Sequence, residues 1–162
     1  HVILAGGTED LALLSLMLEI EIWKAVAPVA RVVDVGCPGQ LLGCVVAIDK
    51  ARDEDAKAAM QAAVGAHRWM KFVVVVDADV NPHDSEEVLW AIHTRFSPET
   101  GVLHQKGVPG FSRPDVANLH LGKLALDATA PVAMKKQFAR RKFPGIEKID
   151  LGEYLGERFR SR

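Results

Sequence analysis

The sequence predicts a layered α/β domain with a mixed β-sheet flanked by helices. Short β-branched runs alternate with stretches whose apolar residues recur at helical spacing, in the order β-α-β-β-α-β-α. One run, Lys71–Val76, is apolar on both faces, as a strand in the middle of a sheet must be. The 162 residues suffice for one ordinary core in one domain, with no internal repeat and no low-complexity tract.

Val2 to Ala5 reads as a short strand that Gly6 and Gly7 break, and Thr8 is placed to cap a helix. From Glu9 to about Ala27, Leu11, Leu14, Leu18 and Ile22 recur at helical spacing, and Pro28 ends the helix. Val29–Val35 and Leu41–Ile48 are β-branched-rich runs around a turn, GCPGQ. Asp53 to about His67 forms a helix whose apolar stripe is Ala56, Met60, Ala63 and Val64. After the Lys71–Val76 strand, Asp84–Arg95 is a helix and Gly101–His104 a strand. Gly107–Asn118 holds two prolines and two glycines and reads as a loop. Lys123–Leu126 fits either type of element, Val132–Arg141 reads as a basic helix, and Leu151–Arg158 as a short terminal one. From about Gly145 the chain turns polar, as a tail does.

Composition excludes several classes. Net charge is −1, so nothing global favours nucleic acid or an anionic membrane. The apolar runs FVVVV and LALLSLML are too short to span a bilayer. Cys37 and Cys44 are too few for a disulfide framework and fit two inert core thiols in a reducing, cytoplasmic setting. The first residue is His1, followed at once by a strand-like run, so the chain is expected to be a piece of something longer.

VVVVDADVNPHD, Val73–Asp84, sets five candidate oxygen or nitrogen ligands (Asp77, Asp79, Asn81, His83, Asp84) within eight residues after an apolar strand. Asp77, Asp79 and Asn81 match the first three ligands of a calcium loop, but its glycine and glutamate positions hold Pro82 and Val88. A DxD pair after a strand also suits a metal-dependent nucleotide-sugar transferase. The structural reading accounts for more: Asp84 caps the next helix, Glu87 completes a capping box, and Asn81-Pro82 marks a turn. GGTED, Gly6–Asp10, puts two carboxylates at a helix N-terminus, either for dipole compensation or as a general acid beside a ligand. No GxGxxG or P-loop pattern occurs, and no His or Cys spacing fits protein-bound zinc. NLHLGK, Asn118–Lys123, is either a carboxylate-binding cluster or a surface turn. KKQFARRK, Lys135–Lys142, carries five cations around Phe138 and fits a solvated helix face or a subunit contact better than a nucleic-acid patch.

Three segments together resemble the UbiD-type (de)carboxylases. KFVVVVDADVNPHDSEEVLWAIHTRF, Lys71–Phe96, resembles that family's strand, acidic D-D-V turn and helix ending in W-A-x-x-T-R. LGKLALDATAP, Leu121–Pro131, resembles its G-x-K-x-x-x-D-A-T stretch, and GGTEDLALLSLMLEIE, Gly6–Glu21, the strand–helix junction opening its C-terminal region. The resemblance implies that residues 1–145 are the C-terminal α/β domain of such an enzyme and 146–162 its tail. The flavin-binding domain is not matched here. It also implies reversible decarboxylation of an aromatic or α,β-unsaturated carboxylic acid. The implied cofactor is prenylated FMN with a divalent metal (manganese or magnesium), with or without potassium, held by parts outside this chain. The implied partners are the remainder of the enzyme, further copies in a homo-oligomer, and a small carboxylic acid.

Residue by residue, the resemblance makes Glu9 the proton donor, with Asp10 as alternative. It puts Gln40, Leu41, Leu42, Val108, Pro109, Phe111 and His120 where relatives place substrate-pocket residues. A non-catalytic association module and a DxD transferase are the competing expectations.

Overall fold

A computed structural model describes residues 8–38, 42–108 and 122–140; for residues 8–12 the backbone alone is described. The expected strand at Val2–Ala5, most of the loop after Gly107 and the expected helix at Leu151–Arg158 lie outside the described residues. The elements run α1 (Thr8–Val26), β1 (Val32–Gly36), β2 (Gly43–Ile48), α2 (Glu54–Ala66), β3 (Phe72–Asp77), α3 (Ser85–Arg95), β4 (Val102–Gln105) and β5 (Lys123–Ala128). A 3-10 turn, Val132–Met134, follows β5.

The sheet order is β1-β2-β3-β5-β4. β2, β3 and β5 are parallel, and β1 and β4 pair antiparallel at the two edges. The sheet is thus mixed, with β3 at its centre, as the doubly apolar run FVVVV requires. Alternation along the strands separates two cores. Cys44, Val46, Ile48, Val73 and Val75 face α1 and α2, where they meet Leu18, Ile22, Val26, Ala56, Met60, Ala63 and Val64. Val45, Ala47, Val74 and Val76 face α3 and meet Val88 and Ala91. The result is three layers, helix–sheet–helix.

Local chemistry sets most boundaries. The Asp84 side chain accepts from the backbone N–H groups of Glu86 and Glu87, as the cap reading expects. The capping box closes differently: Glu87 accepts from Asn81 N–H at 2.8 Å, because the Asp84 N–H already donates to the Asn81 carbonyl. β1 starts at Val32 rather than Val29, since Val29 and Ala30 still donate to the Val26 carbonyl at the end of α1.

One open expectation is decided and two are corrected. Lys123–Leu126, which fits either type of element by sequence, opens β5, because its long-range ladder to β3 decides for the strand. Of the segment expected as a basic helix, Val132–Arg141, the described residues 132–140 form only the 3-10 turn, because Lys135, Phe138 and Arg140 are drawn to distant partners. On α1, Leu18 and Ile22 are buried but Leu14 is 38% exposed. The face that packs on the domain is Leu18–Ile22–Val26.

Gly36 is required by a close approach. A Cβ there would lie 2.7 Å from the Pro82 carbonyl oxygen and 3.0 Å from the His83 ring. Gly36→Ala is therefore expected to destabilise the chain by about 1–3 kcal/mol through overpacking, measured as a lowered urea midpoint with an unchanged slope.

Candidate functional site

The carboxyl ends of β2, β3 and β5 carry the most elaborate polar chemistry among the described residues. The Arg95 guanidinium, at the end of α3, donates through Nη1 to Asp77 Oδ2 at 2.9 Å and to Asp79 Oδ1 at 2.7 Å. Its Nη2 donates to Asp79 Oδ2 at 2.7 Å and to the Phe138 carbonyl at 3.1 Å. The same guanidinium stacks over Trp90, 4.8 Å from the ring centroid. Asp77 Oδ2 also accepts from Ala130 N–H at 2.7 Å, which ties β3 to the segment leaving β5.

Beside this clasp, Lys50 donates to Thr129 Oγ1 at 2.7 Å and pairs with Asp53 at 3.1 Å. Thr129 in turn donates to Asp127 through both its hydroxyl and its backbone N–H, at 2.6 and 2.9 Å. A cleft of about 240 Å³ opens here, lined by Lys50, Asp53, Asp127 and Thr129 among others. Ligands of open α/β sheets usually bind at this end of the strands. Here its charged groups are already paired with one another.

The electrostatics agree with a structural role. Burial pushes the Asp77 carboxyl above its usual range, offset in part by Ala130 N–H and Arg95. Asp79, half-exposed, is held below it by the Arg95 hydrogen bonds. Lys123 donates to the carbonyls of Val64 and His67, both at 2.9 Å, so its buried ammonium caps the carboxyl end of α2. That removes Lys123 from the carboxylate-binding reading of NLHLGK; Asn118–Leu121 lie outside the described residues. Arg140 pairs with Glu87 at 2.9 Å, and Lys135 donates to the Lys50 carbonyl at 2.9 Å. The described part of the basic segment, residues 135–140, is thus pinned to this edge and presents no helical cationic face.

The opposite edge holds Leu42 and Val108, the two described residues among the pocket positions expected from resemblance. The Leu42 carbonyl, just before β2, accepts from Lys71 N–H, and the Lys71 carbonyl accepts from Leu124 N–H. The Val108 carbonyl accepts from Gly122 N–H at 2.9 Å. Gly122 adopts φ +111, a conformation that favours glycine. Leu42 and Val108, both half-buried, therefore sit at the amino ends of β2, β3 and β5. Gln40, Leu41, Pro109, Phe111 and His120 lie outside the described residues.

α1 points the same way. Val26 sits by the start of β1, and the Glu19 carboxylate accepts from Cys37 N–H, just past its end, at 3.1 Å. Glu9 and Asp10 lie about ten residues earlier in the helix, some 15 Å further along its axis. Their backbone thus continues past the amino-end edge of the sheet.

No three His, Cys, Asp or Glu side chains among the described residues gather as a metal site. The three buried cations, Lys50, Arg95 and Lys123, are each engaged by protein oxygens. The described residues therefore do not fit a flavin phosphate or its metal. Cys37 and Cys44 are free and buried, as expected of core thiols. Burial pushes Cys37 up to about 12 and Cys44 well above its usual range. No helix among the described residues is long and apolar enough to cross a membrane.

Sequence reasoning missed Arg95. The available signal was its place at the end of α3, the basic end of an acid-capped helix that follows an acidic turn.

Residues 11–128 match the family model of the 3-octaprenyl-4-hydroxybenzoate carboxy-lyase C-terminal domain. The chain is 35% identical over 152 residues to anhydromevalonate phosphate decarboxylase of Aeropyrum pernix, covering 91% of this chain and 35% of that protein. Its fold resembles the UbiD-class enzyme HmfF of Pelotomaculum thermopropionicum in complex with FMN, with a TM-score of 0.79 and 31% identity, covering 91% of this chain and 34% of that one. An evolved dimeric form of HmfF in complex with prFMN gives a TM-score of 0.72 at 32% identity, covering 91% and 32%. The chain thus spans about a third of the length of these relatives.

Two outcomes are expected at the clasp. Arg95→Met leaves Asp77 buried beside Asp79 without its cation and should cost about 3–5 kcal/mol in chemical denaturation; Arg95→Met with Asp77→Asn should recover part of that. Because the folded-state pKa of Asp79 is depressed, its stabilisation is present above its unfolded pKa, near 3.9, and is lost as pH falls through the folded value. The stability gap between the wild type and Asp79→Asn should therefore narrow progressively as pH falls below about 5, as followed by thermal melts down the acid range.

Proposed function

The chain belongs to the UbiD carboxy-lyase family, matching its C-terminal domain over most of its length, and we propose that it completes the active site of such an enzyme. The reaction proposed is the reversible, non-oxidative decarboxylation of an aromatic or α,β-unsaturated carboxylic acid with prenylated FMN. The observation that carries this reading is the likeness, over nine-tenths of the chain, to a decarboxylase and to UbiD-class enzymes holding FMN and prFMN. Prenylated FMN would supply the electron sink for loss of CO₂. The described residues do not fit the flavin phosphate or its metal, so both are assigned to the remainder of the enzyme.

This chain's own contribution is to shape the substrate side and to hold a proton. The amino-end edge supports that role: Leu42 and Val108 flank the ends of three parallel strands, and the first turn of α1 extends past the same edge. In this reading Gln40, Leu41, Pro109, Phe111 and His120 join them around an organic acid. Glu9 holds the proton delivered to the carbon that loses CO₂, with Asp10 as the alternative donor. The assignment of Glu9 rests on sequence resemblance.

A second reading, a purely associative module, is favoured by the apolar outer face of α1. The two separate cleanly. In the intact enzyme, Glu9→Gln should keep flavin binding, read from the visible spectrum, and lose about 100-fold or more in turnover. Turnover near the wild-type value would remove Glu9 from the mechanism.

A further inference from the structure

Cys37 and Cys44 are both free, and the strand register sets them against each other. β1 and β2 are antiparallel, with Val35 opposite Val46 and Gly36 opposite Val45. One further step along the two chains puts Cys37 opposite Cys44. Side chains alternate along a strand, so Cys37 shares a face with Val35, and Cys44 with Val46. All four belong to the core that α1 and α2 cover, so the two thiols lie on the same side of the sheet. Directly opposite residues of an antiparallel pair have Cα atoms about 4.5–5.5 Å apart, inside the span of about 4.4–6.8 Å that a disulfide bridges.

Two further observations support this placement. Glu19 of α1 accepts from Cys37 N–H at 3.1 Å, which fixes the backbone just past β1. Burial and then the nearby Cys37 push the Cys44 thiol well above its usual range, so the two side chains interact. Burial and then Glu19 push Cys37 up to about 12. A dithiol whose reduced form is not stabilised as thiolate gives a disulfide that is hard to reduce. Scarcity of thiolate makes the same disulfide slow to form. Burial therefore favours the bridge at equilibrium and delays it in time.

We propose that Cys37 and Cys44 are a cross-strand redox pair, which a small-molecule disulfide converts to an intramolecular bridge in the folded chain. Cys37 reacts first: it lies past the end of β1 and is 8% exposed, against 2% for Cys44 within β2. Its thiolate attacks one sulfur of the small disulfide and releases one small thiolate. Cys44, as thiolate, then attacks Cys37 Sγ, and the second small thiolate leaves. The two protons lost by the cysteines are matched by two taken up by the released thiolates. Two protein thiols are thus oxidised, and one small disulfide is reduced to two thiols. The bridge closes a ring over residues 38–43, which include Gln40, Leu41 and Leu42 of the expected pocket positions. The pair itself does not rest on the decarboxylase reading.

The test uses the 162-residue chain, whose only cysteines are these two, in a buffer of oxidised and reduced glutathione without flavin or substrate. It starts once from the reduced chain and once from chain oxidised in urea and refolded, and runs until the two agree. Intact mass and peptide mapping after acid quench and alkylation then read the products. The native chain should give a single-chain species lighter by two hydrogens, with Cys37 linked to Cys44. Its ratio of bridged to reduced chain should be at least about tenfold higher than in urea. The bridge should raise the melting temperature by about 5–10 °C, with an unchanged circular dichroism spectrum. Cys44→Ser should stop at a glutathione adduct on Cys37, and folded Cys37→Ser should stay unmodified at Cys44. A ratio no higher in the native chain than in urea would overturn the proposal. So would a bridge that lowers the melting temperature, or glutathione adducts in place of the bridge in the wild type. An adduct at Cys44 but not at Cys37 in the two variants would overturn the order of attack.

Discussion

The Arg95 guanidinium reaches four parts of the chain at once. It closes on Asp77 at the end of β3 and on Asp79 in the turn beyond it. It stacks on Trp90 of its own helix, and it holds the Phe138 carbonyl of the segment after β5. A buried cation is tolerable only when its partners are close and well aligned, and removing either partner leaves a charge in a poor dielectric. The position of α3 on the sheet, the exit from β5 and the path of residues 131–140 are therefore set together. The Lys50–Thr129–Asp127 chain beside it extends the same constraint to β2, and Lys123 extends it to the end of α2.

This arrangement explains why the family-like segments look like catalytic motifs and are not used as one here. The acidic turn, the W-A-x-x-T-R helix end and the D-A-T stretch supply Asp77, Asp79, Trp90, Arg95, Asp127 and Thr129. All six side chains are spent on one another or on Lys50. A DxD pair free to hold manganese needs open lone pairs, and Arg95 occupies three of the four carboxylate oxygens. At the edge usually given to ligands in open α/β sheets the charged groups around the cleft are paired with one another, and the substrate side of the functional reading is left to the opposite edge. Fixing the scaffold at one edge leaves the loops at the other free to differ with the acid they receive.

α1 sits between these roles. One side joins the core through Leu18, Ile22 and Val26; its first turn carries the proposed proton donor past the sheet edge; its other side is apolar and exposed.

Much of the fold was legible in the sequence because it is written in local chemistry. The three helices, the strands from Val32 to Asp77, the Asp84 cap and the central place of FVVVV follow from periodicity, capping and β-branching, all of which act within a few residues. The tertiary structure alone decided what depends on distant partners. β5 became a strand through its ladder to β3, although its residues favour neither element. Lys135–Arg140 gave up a helix to reach Lys50, Arg95 and Glu87. The outward turn of Leu14, the pairing of Asp77 and Asp79 with an arginine 18 and 16 residues away, and the gathering of Leu42 and Val108 at one edge were likewise invisible in the linear pattern. Periodicity tells which residues share a face. It does not say what that face will meet, and for this chain the partner decides whether an acidic pair is a ligand set or a clasp.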